Sequence, residues 1–397
     1  MTAGFSVRID KRSLFITIYI NLFILNGLIY GHQLLLYTAG IVNQLPHSAD
    51  QLWSGSRIDF RLTSNNEGFQ HIGSVFYFNE EAGIQDLIPY VKRISLDEGM
   101  PALVGNTPLL PLVTLSDRAT SKVQVFAKAE WFNPSGSVKD RPAWGIIQNA
   151  LHQGLILPGM HLLDSTSGNM GIAYATFGAA LGIPITLAMP SNASPERIKI
   201  MKALGAELIL TDPLEGSDGA IMVAQQMAED HPEKYYYANQ YDNPANWQAH
   251  YRSTGPEIIE QTGGQVTHVV LGMGTTGTLT GVSRYLKEYY PGVEVIGIQP
   301  DSPFNGLEGL KHLPSAIKPG IYDPAAADRI ISIKTEDAYD MVRCLAREEG
   351  YFIGISSGAA AVAARQVASE LDQGVVVTVF PDAGFKYLSD DQLWSES

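Results

Sequence analysis

Cysteine is almost missing from these 397 residues: Cys344 is the single one. No internal disulfide can form and no cysteine-based zinc site can be assembled, which fits a reducing compartment. Cys344 lies in "AYDMVRCLAREEG", an amphipathic helical pattern, and reads as a packing residue. Basic residues are also in deficit, 27 Lys and Arg against 41 Asp and Glu, for a formal charge of −14. That balance argues against nucleic acid or an anionic membrane as the main partner, while leaving room for a local positive pocket. Charge of either sign is absent from Ser13 to Ala49, where "LFITIYINLFILNGLIY" (14–30) is nearly all apolar behind Arg8, Lys11 and Arg12. By length and flank the stretch suits a signal peptide or membrane anchor. A buried extension, or residues preceding a later translation start, explain it equally, and Asn21 and Asn26 weaken the membrane reading. We treat 1–96 as an N-terminal extension without assigned role and expect a cytoplasmic protein.

There is no internal repeat and no low-complexity tract. What the chain does have, from about residue 104, is short β-branched runs alternating with helical patterns. "VQVFAKAEW", "GMHLLDST", "IPITLAMP", "AELILTD", "THVVLGMG", "VEVIGIQP" and "VVVTVFPD" read as strands. Between them "RPAWGIIQNALHQG", "NMGIAYATFGAALG", "SPERIKIMKALG", "GAIMVAQQMAED" and "TLTGVSRYLKEYY" read as helices. Continuous apolar strands alternating with helices indicate an α/β fold with parallel sheets covered on both faces. The proline-bearing stretches near 242–256 and 313–324 read as crossings between subdomains.

In such sheets ligands collect beyond the carboxyl ends of strands, and four features fall at those junctions. "LGMGTTGTLTG" (271–281) combines glycines with Thr275, Thr276 and Thr278 ahead of a helix, a cradle for a phosphate. It also spells the G-x-G-x-x-G dinucleotide fingerprint, but the acid that should end the next strand is missing: Gln299 stands there. No Gly-Lys-Ser/Thr follows, which excludes a P-loop. "GISSGAAA" (354–361) matches the G-x-S-x-G elbow, yet histidine stops at His312, upstream of Ser356, so the hydrolase order fails. Ser356 or Ser357 then reads as a hydroxyl aimed into a site or as a helix cap. "STSGNMG" (165–171) offers Thr166, Ser167 and Asn169 at a helix start, suited to a carboxylate. In "NPSGSVKDRP" (133–142), Pro142 is tolerated only in a first turn, so the helix starts near Asp140 and Lys139 sits at its positive end. Dipole and burial both disfavour the ammonium and favour a nucleophilic amine. A phosphate cradle, a carboxylate grip and a reactive amine together suggest pyridoxal phosphate acting on an amino acid. No metal site is expected.

"NPSGSVKDRPA", "STSGNMGIA", "NQYDNPANWQAH", "GMGTTGTLTGVSRYL" and "GISSGAA" closely resemble the cysteine synthases, of the tryptophan synthase β-like fold type II of pyridoxal-phosphate enzymes. The resemblance runs from about residue 97 to 390. It implies two doubly wound parallel-sheet subdomains within 97–397, a smaller one of about 135–250 inserted in a larger one of about 97–134 and 251–390. It implies that Lys139 carries the cofactor and later moves the Cα proton, and that Asn169 hydrogen-bonds the 3′ oxygen. Gly274, Thr275, Thr276, Gly277 and Thr278 would cup the phosphate, and Ser356 would face the ring nitrogen. Thr166, Ser167, Asn169 and Gln240 would receive the substrate carboxylate. The implied reaction makes L-cysteine from an O-activated serine and sulfide, or sulfur from a carrier protein, in a homodimer. Two positions depart from the family: Met170 where Thr is usual, and Lys311 where members using O-phosphoserine carry arginine. The donor, O-acetylserine or O-phosphoserine, stays open with a slight lean to the former. Another β-replacement enzyme, a serine/threonine dehydratase, or a catalytically decayed binding protein are the alternatives.

Overall fold

The computed structural model describes residues 99–116, 122–166 and 168–394, together with the backbone of two short strands, Val7–Ile9 (β1) and Ile16–Ile18 (β2). The chain divides into two units, Met1–Arg93 and Ile94–Ser397. In the first, β1 and β2 pair antiparallel with Val7 opposite Ile18. The rest of the apolar segment 14–30, and with it the anchor reading, lies outside the described residues. Among the described residues no helix is long and apolar enough to cross a membrane.

The second unit holds two sheets. Strands Leu109–Pro111 (β3), Val123–Ala129 (β4), His268–Gly272 (β9), Glu294–Pro300 (β10), Arg329–Ile333 (β11) and Gly374–Phe380 (β12) form one, in the order β11-β10-β9-β12-β4-β3. His161–Ser165 (β5), Ile185–Pro190 (β6), Glu207–Thr211 (β7) and Tyr235–Tyr237 (β8) form the other, ordered β7-β6-β5-β8. The smaller sheet therefore falls, along the chain, between two strands of the larger. All neighbours run parallel except β3, which pairs antiparallel to β4 at the edge. Parallel strands buried on both faces need apolar side chains throughout, and β6 is buried at all six positions.

Helices cover both sheets. Thr335–Glu348 (α8) and Ile355–Ser369 (α9) bury one face of the larger sheet, with Val125, Ile298, Val342, Val367 and Phe380 in that core. Thr254–Gln261 (α6) and Gly277–Tyr289 (α7) bury the other with Ile258, Leu279, Val295 and Val379. Asp140–His152 (α1), Asn169–Leu181 (α2) and Pro195–Ala203 (α3) pack on one face of the smaller sheet, around Ile146, Phe177, Leu187 and Met201. Gly216–Asp230 (α4) packs on its other face. The stretch near 242–256, read as a crossing, lies between β8 of the smaller sheet and β9 of the larger and forms Pro244–Arg252 (α5) followed by α6. Pro244 occupies the first turn, where its missing N–H costs nothing, and the Asn243 side chain caps by accepting from Ala245 N. Strands β3 and β8 went unread because they run for only three residues, too short to show a period, and β11 went unread with them.

Candidate active site

The connections after β4, β5, β8 and β9 converge at the carboxyl ends of those strands on one cavity of about 440 Å³. Helix α9, which follows α8 rather than the strand expected from sequence, brings Ser356 there. Lys139, Thr166, Asn169, Gln240, Gly274, Thr275, Thr276, Gly277, Thr278, Lys311 and Ser356 all line it, so every described residue expected from sequence is brought together. Ser167 lies outside the described residues.

The turn after β4 is built to hold Lys139. The Asp140 carboxylate accepts from Ser135 N (2.7 Å), Ser135 Oγ (2.6 Å) and Ser137 N (3.3 Å), closing a tight loop ahead of α1. Val138 N donates to Pro381 O at 2.8 Å, tying that loop to the end of β12. Lys139 is the residue before the first helical turn, and Pro142 stands within that turn. Burial holds its amine below the usual lysine range, opposed in part by the Asp382 charge. Lowering the pKa of a lysine shifts it towards the neutral, nucleophilic form.

The turn after β9 forms a cup. A Cβ on Gly274 would collide with the Gly309 carbonyl, and one on Gly277 with Asn246 Oδ1. Thr276 sits between them at φ 66°, a left-handed conformation that a β-branched residue seldom adopts, with its buried Oγ1 unpartnered. Strain, an orphaned hydroxyl and the free N–H groups of α7 together make an anion site. This chemistry fits a phosphate group.

At the start of α2, Thr166 Oγ1 accepts from Gly168 N at 3.2 Å, leaving its own proton to donate. Asn169 Nδ2 donates to Asp382 Oδ2 at 2.7 Å and Oδ1 accepts from Lys386 Nζ at 2.8 Å, which leaves one amide proton free. Gln240 is pinned by Nε2 to Ser165 O (2.9 Å) and by its own N–H to Asp164 Oδ2 (3.3 Å). Ser356 lies in the first turn of α9, behind Gly354 at the cap. Met170, the residue after Asn169 on α2, is buried in the cavity wall. Lys311 stacks over the Tyr241 ring at 4.7 Å, its amine lowered by burial and raised by Asp218.

Sequence reasoning missed a further set. Asp382 follows β12, accepts from Asn169 and from Tyr387 Oη (2.8 Å), and keeps a buried, unpartnered Oδ1. Lys386 also donates to the Ser135 (3.3 Å) and Gly136 (3.1 Å) carbonyls, joining the Lys139 turn to Asn169. Arg197 on α3, 6% exposed, lines the cavity, pairs with Glu308 and lies over the Tyr387 ring. The rule that sites gather at strand ends points to Asp382 as much as to Thr275, but "PDAGFKYLS" holds no glycine cluster to mark it.

Residues 101–382 match the family model described as pyridoxal-phosphate dependent enzyme. A cysteine synthase of Aquifex aeolicus is 55% identical over 292 residues, covering 72% of this chain and 89% of that one. Cysteine synthase B of Pseudomonas aeruginosa is 45% identical over 286 residues, 72% of this chain and 94% of that protein. The crystal structure of O-acetyl serine sulfhydrylase isoform 3 from Entamoeba histolytica superposes with TM-score 0.71 at 37% identity, over 77% of this chain and 93% of that one. With a buried amine, an anion cup and a carboxylate grip in one cavity, the chain belongs to the pyridoxal-phosphate dependent enzymes and, within them, to the fold-type-II cysteine synthases.

Proposed function

We propose that this cavity makes L-cysteine by β-replacement, with O-acetyl-L-serine as the donor and sulfide as the nucleophile. The observation that carries the reading is the convergence of Lys139, the Gly274–Thr278 cup, Thr166 and Asn169 on one cavity. The curated relatives named cysteine synthase and the solved O-acetyl serine sulfhydrylase support the activity and the donor.

The chemistry the cofactor would supply when bound is an electron sink for the pair left at Cα when its proton is removed, the pair that then expels the β-substituent. Lys139 would hold it and would be the group placed to take the Cα proton; burial lowers the pKa of its amine, which favours the neutral form that a base needs. Gly274, Thr275, Thr276, Gly277 and Thr278 bind the phosphate. Ser356 meets the ring nitrogen with a neutral hydroxyl rather than a carboxylate, which gives the nitrogen no partner that favours its protonated form. Asn169 spends its free amide proton on the ring oxygen, while Thr166, Ser167 and Gln240 orient the substrate carboxylate. Asp382 and Lys386 keep Asn169 in place.

Lys311 supports a second reading, O-phosphoserine as donor, because it lines the cavity and stacks on Tyr241 rather than pairing with a carboxylate. The same proposal takes the enzyme as a cytoplasmic homodimer using free sulfide rather than a carrier protein. The test is to supply each donor with sulfide and measure L-cysteine, with L-serine alone as a check for dehydratase activity. Cysteine formed from O-acetylserine at the higher kcat/KM is expected. Cysteine from neither donor, or pyruvate from L-serine as the main product, would overturn the reading.

A further inference from the structure

The "NPANWQAH" stretch has no role in the site described so far, yet it forms α5, and α5 lies directly behind the cup. Two of its side chains, Asn246 and His250, are one turn apart and buried at 1% exposure each. Asn246 Nδ2 donates to Gln240 O at 2.8 Å and to Thr275 Oγ1 at 3.1 Å. A backbone carbonyl can only accept, so the Gln240 contact fixes which end of the amide is the nitrogen. Its second proton then reaches Thr275 Oγ1, which also accepts from Gly277 N at 3.4 Å. With both lone-pair directions of Thr275 engaged, its hydroxyl proton is left to point into the cavity. The His250 ring lies between Thr254 Oγ1, at 2.9 Å from Nδ1, and Thr278 Oγ1, at 3.3 Å from Nε2. Burial, with the Arg141 charge behind it, holds this imidazole down at about 3, so it carries one proton at neutral pH.

We propose that Asn246 and His250 are positioning residues that aim the Thr275 and Thr278 hydroxyl protons at the cofactor phosphate, each by donating an N–H to the threonine oxygen from behind. For His250 this assigns the neutral tautomer protonated on Nε2, with Nδ1 accepting from Thr254. Asn246 further joins the phosphate cup to Gln240, so one side chain sets the position of groups for both ligands. The inference rests on the reading of Gly274–Thr278 as the phosphate cup.

The experiment compares binding of pyridoxal 5′-phosphate and of pyridoxal, which lacks the phosphate, to cofactor-stripped full-length protein. The variants are Asn246→Ala, His250→Phe, His250→Gln, Thr275→Val and the Asn246→Ala/Thr275→Val pair. Hydrogen bonds to a charged group are worth enough to predict a loss of about 10- to 100-fold in pyridoxal 5′-phosphate affinity for Asn246→Ala and for His250→Phe. Pyridoxal affinity should hold in both. His250→Gln, which keeps an N–H donor, should recover most of the loss. In the Thr275→Val background, Asn246→Ala should cost little more, because the hydroxyl it acts through is gone. Equal losses for the two ligands would mean that α5 only supports the fold, and would overturn the proposal. So would a full additional loss in the double variant. If Thr275→Val weakens pyridoxal 5′-phosphate selectively but Asn246→Ala does not, the cup stands and this inference alone falls. If wild type shows no preference for the phosphorylated ligand, the cup reading falls and takes the inference with it.

Discussion

Gly277 owes its restriction to a neighbour rather than to its own backbone angle. A methyl group there would strike Asn246 Oδ1, the oxygen of an amide whose Nδ2 is fixed by donating to Gln240 O and Thr275 Oγ1. We expect Gly277→Ala to weaken pyridoxal phosphate retention by about tenfold or more, since the cup must open to admit the methyl. Gly292→Ala, where an added Cβ meets nothing within 4 Å, is the control. Equilibrium dialysis of both variants makes the comparison. At this scale, what sequence could show was local chemistry. Pro142 fixed the helix start and thereby the place of Lys139, and Gln299 ruled out a dinucleotide. Asp382, Lys386 and Arg197 could not be read in the same way, because the partners that tie them to the site lie 111 to 251 positions away. Only folding puts a lysine in the C-terminal segment against an asparagine at the start of α2.

Among the elements, α1 carries the greatest demand, because it sets the direction of Lys139. Two residues on, Arg141 is buried and forks onto two carboxylates. Its Nε donates to Glu130 Oε2 at 2.7 Å, and its Nη1 to Glu257 Oε1 at 2.7 Å. Lys128 completes the group, 2.6 Å from Glu257. Burial opposes the Glu130 charge, yet Arg141 holds that carboxyl down at about 2. Removing the arginine takes the ion-pair partner from buried Glu130 and leaves Glu257 to Lys128 alone, so Arg141→Met should cost about 3–5 kcal/mol in urea unfolding. Arg141→Lys should recover only part of that, since an ammonium cannot make the forked contacts. Recovery to wild type with lysine would contradict this account of α1. Helices and strands with clear periods were legible from sequence. The two helices α5 and α6 were not, because Pro244 and Pro256 look like breaks until their place in first turns is known.

For the whole molecule, two buried groups pull stability in opposite directions with pH. His250 is held at about 3 against an ordinary 6.5, so below about pH 6.5 the unfolded chain takes a proton that the folded one refuses. Stability falls there on acidification. Asp164, buried behind the Thr166 loop, is pushed up to about 7 from 3.8, so the folded chain takes a proton first and stability rises as pH drops from about 7 towards 4. In their common window the two partly cancel. His250→Gln should therefore lose less stability than wild type between about pH 7 and 4, and Asp164→Asn should lose more. Each difference should approach about 1.4 kcal/mol per pH unit at most. Parallel denaturation curves across that range would show that neither group is held as described. The larger architecture was the most legible part, since β-branched runs separated by helices leave few choices beyond parallel sheets covered on both faces. The antiparallel edge strand β3 escaped notice because nothing in "LLP" distinguishes it from a loop.

The central claim is that Lys139, among the half-buried lysines near this cavity, is the one that carries pyridoxal phosphate. Borohydride reduction of the full-length protein with its cofactor, followed by proteolysis and mass spectrometry, tests it directly. The account predicts a pyridoxyl-phosphate mass on the peptide containing "NPSGSVKDRP", at Lys139, and none after Lys139→Ala. The label on Lys386 or Lys311, or its persistence in Lys139→Ala, would contradict the account.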